Sequence, residues 1–333
     1  MKRKIFAILA FLLCVTSVHA AVGQAVIDGM NYALSFDGEV RTATLLAGDK
    51  KYAGHVVIPS IVTFAGDQYK VTAVGNEAFK ECTGLKSITF SDNVTTIGDA
   101  AFEGCTKITE LVLPQGLTSI GAYAFCYCFG LKTIDIPNSV TNLGDCCFIQ
   151  CMNITSLKIG SGVSTIPSYA FALCNSLTSV VIPKNVNLIK NYAFADCIKL
   201  ASVTILSDAI SITGAKVFQN CSALDSLVFG ESVNTIRSSS FTLGNRTNVI
   251  SLAKYPPVCE GDTSPFAGVS PYCVLYVPKG RAADYRVAKG WAGQFRAVDE
   301  MNDSSHSANC DVNGDGVVDI ADATAVIECI LGK

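Results

Sequence analysis

The chain has 333 residues, half of them hydrophobic and only 16% charged, against roughly 25% in ordinary soluble domains. That composition excludes a disordered polymer, and a formal net charge of −3 excludes a charge-driven nucleic-acid binder. Three histidines in the whole chain are too few for a histidine-based active site or a multi-histidine zinc site.

The first twenty residues read as a secretory signal peptide. Lys2, Arg3 and Lys4 form a positive start, Ile5 to Val15 an apolar stretch, and Val18-His19-Ala20 a small-residue end that predicts cleavage near Ala20. About 11 apolar residues are too few to span a bilayer. Cys14 follows Leu12-Leu13 and not the small residue that lipid attachment would need. The expected mature chain is secreted or held at a bacterial cell surface, has no membrane span, and keeps only His55 and His306.

From residue 71 to 252 one unit recurs. A phenylalanine, usually within Ala-Phe, stands at 79, 102, 125, 148, 171, 194, 218 and 241, at intervals of 23 residues with a single 24. Six residues after each anchor comes Leu85, Ile108, Leu131, Ile154, Leu177, Leu200 or Leu224. Three further on are Ile88, Leu111, Ile134, Leu157, Val180, Val203 and Leu227, and two beyond those Phe90, Leu113, Ile136, Ile159, Ile182, Ile205 and Phe229. A register this strict specifies a solenoid.

The spacing also dictates the unit. The last two apolar positions lie two apart, as in a strand with one buried face, and Pro114, Pro137 and Pro183 stop that strand. A second apolar pair, such as Leu117 with Ile120, precedes the next anchor, which is expected on a short helical turn of the opposite wall. No unit can cover its own apolar face, so neighbouring coils must do it. The coil between Phe194 and Phe218 carries one inserted residue, and Leu206 replaces the usual proline or glycine, which predicts a bulge there.

Seven of the 15 cysteines keep the repeat period: Cys82, Cys105, Cys128, Cys151, Cys174, Cys197 and Cys221, each three residues after its phenylalanine. Equivalent positions stack about 4.8 Å apart with side chains pointing the same way. Proximity alone does not make a disulfide, and zinc needs four converging ligands, so the expectation is a buried thiol ladder. Cys126, Cys146 and Cys147, Cys259 and Cys273, and Cys310 and Cys329 lie off the period, and bridges among them stay open.

These units, with Ala-Phe-x-x-Cys closing most of them, resemble the BspA-like leucine-rich repeats of bacterial surface proteins. Residues 21–70, with Asp28-Gly29-Met30-Asn31-Tyr32 and Val57-Ile58-Pro59-Ser60, are similar to that family's N-terminal cap. Residues 253–298, with Pro256-Pro257, Leu275-Tyr276-Val277-Pro278-Lys279 and Trp291, are similar to its C-terminal cap. The expected fold is an α/β repeat solenoid, a right-handed superhelix of short parallel strands and short helical turns. The resemblance implies a non-enzymatic, adhesin-like protein. Its partners would be host or bacterial macromolecules, extracellular proteins and glycoproteins, host matrix components among them.

The tail differs in character. From Asp299 onward eight acidic residues face only Lys333, whereas residues 21–298 are near neutral. A linker is expected over 299–310, followed by a small EF-hand-like loop and helix over 311–333. Asp311, Asn313, Asp315, Asp319 and Asp322 put oxygens at loop positions 1, 3, 5, 9 and 12, with Gly316 at the sharp turn. The Val317 carbonyl is the further direct ligand for calcium, and Asp319 acts through water. Ile320, Val326, Ile327 and Ile330 supply an apolar stripe for one short helix. Aspartate in the last position resembles one half of a type I dockerin, which implies the alternative of calcium-dependent tethering to cohesin modules in a secreted complex. A complete dockerin has two such segments, and one is found here.

The outward positions of the predicted strands are Ser87/Thr89, Glu110/Val112, Thr133/Asp135, Ser156/Lys158, Ser179/Val181, Ser202/Thr204 and Ser226/Val228. This row of hydroxyls with few charges reads either as a solvated surface or as a broad docking face. It holds no aromatic platform, and no pair of carboxylates recurs at catalytic spacing, so no catalytic residue is assigned.

Overall fold

The computed structural model describes residues 20–301, apart from 208–210, 213–215, 238–240, 242–246, 262–263, 267–268 and 271. It opens with an antiparallel meander, Ala20–Ile27, Met30–Phe36 and Arg41–Leu46. The first hairpin closes through Asp28 and Gly29, whose φ values of 49° and 82° give the two-residue turn that matches strand twist. Arg41–Leu46 then pairs in parallel with Asp67–Val74, and the chain winds into coils.

Each coil has three walls. The first carries the predicted strands, paired in parallel: Ala53–Val57 with Gly84–Thr89, Thr133–Asp135 with Ser156–Lys158, and six strands from Ser179–Ile182 to Ala297–Glu300. The second wall consists of two-residue strands such as Thr96–Ile97, Ser119–Ile120 and Asn142–Leu143. These sit at the second apolar pair, where the sequence shows a recurring isoleucine or leucine but too short a run to display a period of two.

The third wall corrects the α/β expectation. It is built of turns, and the only α-helix among the described residues is Ala282–Val287, beyond the repeats. Two residues before and two after each repeat anchor from Phe79 to Phe218 the backbone has positive φ, as at Tyr123 and Tyr127 around Phe125 or Tyr169 and Leu173 around Phe171. This alternation forbids i→i−4 bonding and turns every second amide along the solenoid axis. Anchor amides therefore donate to the next coil: Phe79 to the Ala101 carbonyl at 2.7 Å, Phe125 to Cys147 at 2.8 Å, Phe194 to Val217 at 3.0 Å. A left-handed L-residue costs roughly 1–2 kcal/mol, and these inter-coil bonds offset it. Coils approach so closely here that a Cβ on Gly144 would collide with the Ala122 amide nitrogen.

The core is a column for each repeat position. The phenylalanine rings from Phe79 to Phe266 lie parallel, with successive centroids 4.9 to 5.8 Å apart, and all are buried. Tyr52 closes the stack at one end with a ring tilted 53°, and Trp291 closes it at the other, tilted 49°. The indole N–H of Trp291 donates to the Pro257 carbonyl at 2.8 Å. Tyr285 beside it is hydrogen-bonded to Ser251 and to the Ala253 carbonyl.

Two further expectations change. The strand Ser202–Ile205 pairs in unbroken register with both neighbours, so no bulge lies at Leu206. The second-wall spacing from Leu188 to Ser211 is still 23, which places the extra residue between Ile212 and Phe218. The body also extends past residue 298. Asp299 and Glu300 pair with Tyr276 and Val277, and the Met301 amide donates to the Val277 carbonyl at 2.9 Å, so the linker cannot begin at 299.

Phe148 stacks at 5.1 Å on Phe125 and at 5.6 Å on Phe171. Phe148→Ala should cost about 3–5 kcal/mol by leaving a cavity the ladder cannot close. Urea unfolding followed by circular dichroism measures it, and a loss below about 1 kcal/mol would mean the ring is not packed in this way.

Candidate functional site

The outward side of the first wall forms two adjoining columns. Register aligns Thr133 with Ser156 and Asp135 with Lys158, Ser179 with Ser202 and Val181 with Thr204, and Ser202 with Ser226 and Thr204 with Val228. Glu110 and Val112 lie outside any strand. Val112 is nonetheless 78% exposed between the buried Leu111 and Leu113, so the alternation of the face persists there.

Sequence spacing missed the first rung. Ala53–Val57 pairs with Gly84–Thr89 and sets His55 opposite Ser87 and Val57 opposite Thr89. Imidazole Nδ1 of His55 lies 2.7 Å from Ser87 Oγ, and Nε2 lies 3.4 Å from Thr89 Oγ1. This rung precedes the first repeat anchor, so periodicity could not mark it. Farther along, Lys158 Nζ and Asp135 Oδ2 are 3.8 Å apart with both side chains 68% exposed. Solvent screening limits such a pair to less than about 1 kcal/mol.

The face is not open along its whole length. Ser87, Thr89, Glu110, Val112, Thr133, Asp135, Ser156 and Lys158 are exposed or half-exposed, and Ser179, Val181 and Ser202 are half-buried. Thr204, Ser226 and Val228 are buried, which removes these three from the predicted contact row. Met301 packs on Val228 and Ile250, with Leu252 and Tyr276 alongside. The accessible face thus runs from His55 to Ser202. It offers hydroxyls, three valines, one carboxylate–ammonium pair, the Glu110 carboxylate and a single imidazole.

The cysteine ladder forms as expected, and its chemistry is fully spent. None of the twelve described cysteines is in a disulfide, and all are buried. Each ladder thiol after the first donates to the anchor carbonyl one coil back: Cys105 to Phe79 at 3.0 Å, Cys128 to Phe102 at 3.2 Å, Cys151 to Phe125 at 3.1 Å, Cys197 to Phe171 at 3.2 Å. Burial pushes Cys105, Cys174 and Cys221 up to about 12 and Cys128, Cys151 and Cys197 well above their ordinary value. A thiolate, the form that attacks or ligates, is thereby suppressed. The off-period Cys126, Cys146, Cys147, Cys259 and Cys273 are likewise buried and outside any disulfide.

Among the described residues no three His, Cys, Asp or Glu side chains gather around a metal-sized point. The predicted calcium ligands Asp311, Asn313, Asp315, Val317, Asp319 and Asp322 lie outside the described residues, as do Cys310, Cys329 and residues 1–19. Among the described residues no helix is long and apolar enough to cross a membrane.

A model of the BspA-type leucine-rich repeat region matches residues 62–177 and 142–254, with six copies of the repeat. A leucine-rich repeat protein from Bacteroides ovatus, solved by crystallography, is 20% identical over 83% of this chain and 76% of its own, with a TM-score of 0.52. The leucine-rich repeat protein of T. pallidum is 29% identical over 59% of this chain and 88% of its own, with a TM-score of 0.51. No curated protein matches the chain.

The thiols carry a test. An acid whose folded pKa is raised stabilises the fold below its unfolded pKa, and that contribution disappears as pH rises toward the folded value. Stability should therefore be full at pH 7 and fall between roughly pH 9 and 12. Urea midpoints at pH 7 and pH 10 would show it. Alkylation mapped by mass spectrometry at neutral pH should spare the ladder cysteines until urea unfolds the chain; rapid native labelling of Cys151 would contradict its burial.

Proposed function

Because this chain belongs to the BspA-type leucine-rich repeat family, we propose that it is a non-enzymatic binding protein that grips an extracellular protein or glycoprotein across its open strand face. One observation carries this reading: the alternating outward side chains from His55 to Ser202 stay accessible, while the opposite set is locked in the column core. A rigid surface loses little conformational entropy on docking, so many weak contacts can add up. The nearly neutral row suits hydroxyl and van der Waals contacts better than electrostatic capture. Lys2-Arg3-Lys4 and the apolar stretch to Val15 support export, with the protein secreted or retained at the cell surface after cleavage near Ala20. Host matrix components fall within the partner class.

The tail is a separate proposal. Asp311, Asn313, Asp315, the Val317 carbonyl, Asp319 through water and Asp322 would hold one calcium, whose chemistry is the charge neutralisation of a loop that otherwise repels itself. Capture of a cohesin would turn the tail into a tether, and the lone segment gives that reading less support than the face.

The face is tested by a Thr133→Arg, Ser156→Arg pair, with Thr118→Arg on the second wall as control. Binding of immobilised matrix glycoproteins should fall at least tenfold for the pair, about 1.4 kcal/mol, with an unchanged melting temperature and an unaffected control. Equal losses at the control site would remove the face from the reading. For the tail, Asp311→Ala with Asp322→Ala should abolish calcium binding by calorimetry and leave the melting temperature of the body unmoved. Chelation that melts the whole protein would refute a separate tail.

A further inference from the structure

Beyond the strand face a cavity lies in the C-terminal cap. It has a volume of about 300 Å³ and lies where the end of the helix Ala282–Val287 meets the strand Ala297–Glu300. Arg286, Trp291, Phe295, Arg296, Val298 and Asp299 line it. Its aromatic side is the terminus of the phenylalanine ladder. Phe266 meets Trp291 at 4.7 Å with the rings tilted and meets Phe295 edge-on at 5.2 Å. The indole N–H is already committed to Pro257 and Trp291 is itself buried, so the ring surface on that side is that of the half-buried Phe295.

The two guanidinium groups supply the polar side. Arg286 is held by one bond, Nη2 to the Val298 carbonyl at 2.8 Å, which leaves its other N–H groups free to face a ligand. Among the described residues neither Arg286 nor Arg296 has a carboxylate within ion-pair distance. Glu300 is nearby, but its carboxylate accepts the Ala282 amide at 3.1 Å and is held below the usual carboxylate range by backbone amides of 280–282. Glu300 also interacts electrostatically with Arg286, so Arg296 is the guanidinium left without a facing acid partner among the described residues, and the two arginines on one rim offer planar donors to a carboxylate. Asp299 on the same rim would repel a bare anion and accept a bond from a hydroxyl. The volume is at the lower end for ligand pockets, room for about one ring.

We infer that this cavity binds a single acidic sugar ring, its carboxylate on Arg286 and Arg296, a hydroxyl on Asp299 and a C–H face against Phe295. The site is separate from the strand face, so its failure would leave the proposed docking surface untouched. Such a ring can come as a free hexuronate or as one residue of an acidic polysaccharide.

Trp291 is the only tryptophan in the chain, so intrinsic fluorescence of the full-length protein reports on the cavity directly. D-glucuronate and D-galacturonate are titrated in parallel with glucose, acetate and sulfate. A saturable change with a uronate is expected, and glucose, acetate and sulfate should each bind at least about tenfold more weakly. Polygalacturonate that competes more tightly than the monosaccharide identifies the polymer as the source, and equal affinity per ring identifies the free sugar. Arg296→Gln, whose side chain makes no ion pair among the described residues, should weaken binding about tenfold or more without shifting the melting temperature. Arg286→Gln should weaken binding as well, with some loss of melting temperature because its bond to the Val298 carbonyl goes too. No saturable uronate response, equal binding of sulfate or of glucose, or full binding by both arginine variants would each overturn the site.

Discussion

One phenylalanine per coil, returned to the same place beneath its predecessor, is the constraint on which the rest of the molecule depends. A ring in a lone coil would stand in water on both faces. In the stack each interior ring is covered by the next at 4.9 to 5.8 Å, and burial of about 1.5–3 kcal/mol per ring is realised only through the neighbours. The coil length has to serve that stack. When one coil gains a residue, the strands Ser202–Ile205 and Ser226–Phe229 keep an unbroken pairing across it. The ends cannot repeat, so Tyr52 and Trp291 close the column with tilted rings.

The turn wall shows what that constraint costs. Bringing each anchor back in so few residues demands left-handed backbone on both sides of it, at non-glycine residues such as Tyr123 and Gln150. Amides turned along the axis then join coil to coil, so the wall behaves as a ladder where a helix would have bonded within itself. Cysteine suits the position three residues on because a thiol is small and apolar enough for the interior and still donates weakly to the anchor carbonyl behind it. The same burial that makes it a good filler makes it a poor nucleophile.

On the strand wall the core uses every second side chain and leaves the others as a surface whose spacing is set by the backbone. The stiffness of that surface comes from the dry columns behind it. Its extent is set elsewhere: Met301, carried in by the last strand, lies over Val228 and Ile250 and turns outward positions into a small second core. The C-terminal cap therefore does two things, ending the aromatic column with Trp291 and closing one end of the face.

The sequence by itself determined whatever repeats. Phe79 through Phe241, the three aliphatic columns, the thiol ladder and the alternation of the strand face were all legible, because a recurring residue reports a recurring environment. It did not reveal the wall of turns: Ala-Phe is compatible with a helix, and only the bonds between coils make alternating left-handed residues worthwhile. Two-residue strands such as Ser119–Ile120 are too short to show a period. His55 on the first rung, Asp299 and Glu300 inside the body, and the closure over Thr204, Ser226 and Val228 were decided by tertiary structure alone. Each depends on a non-repeating segment meeting the array from outside, and no periodicity within the array carries information about a contact made only once.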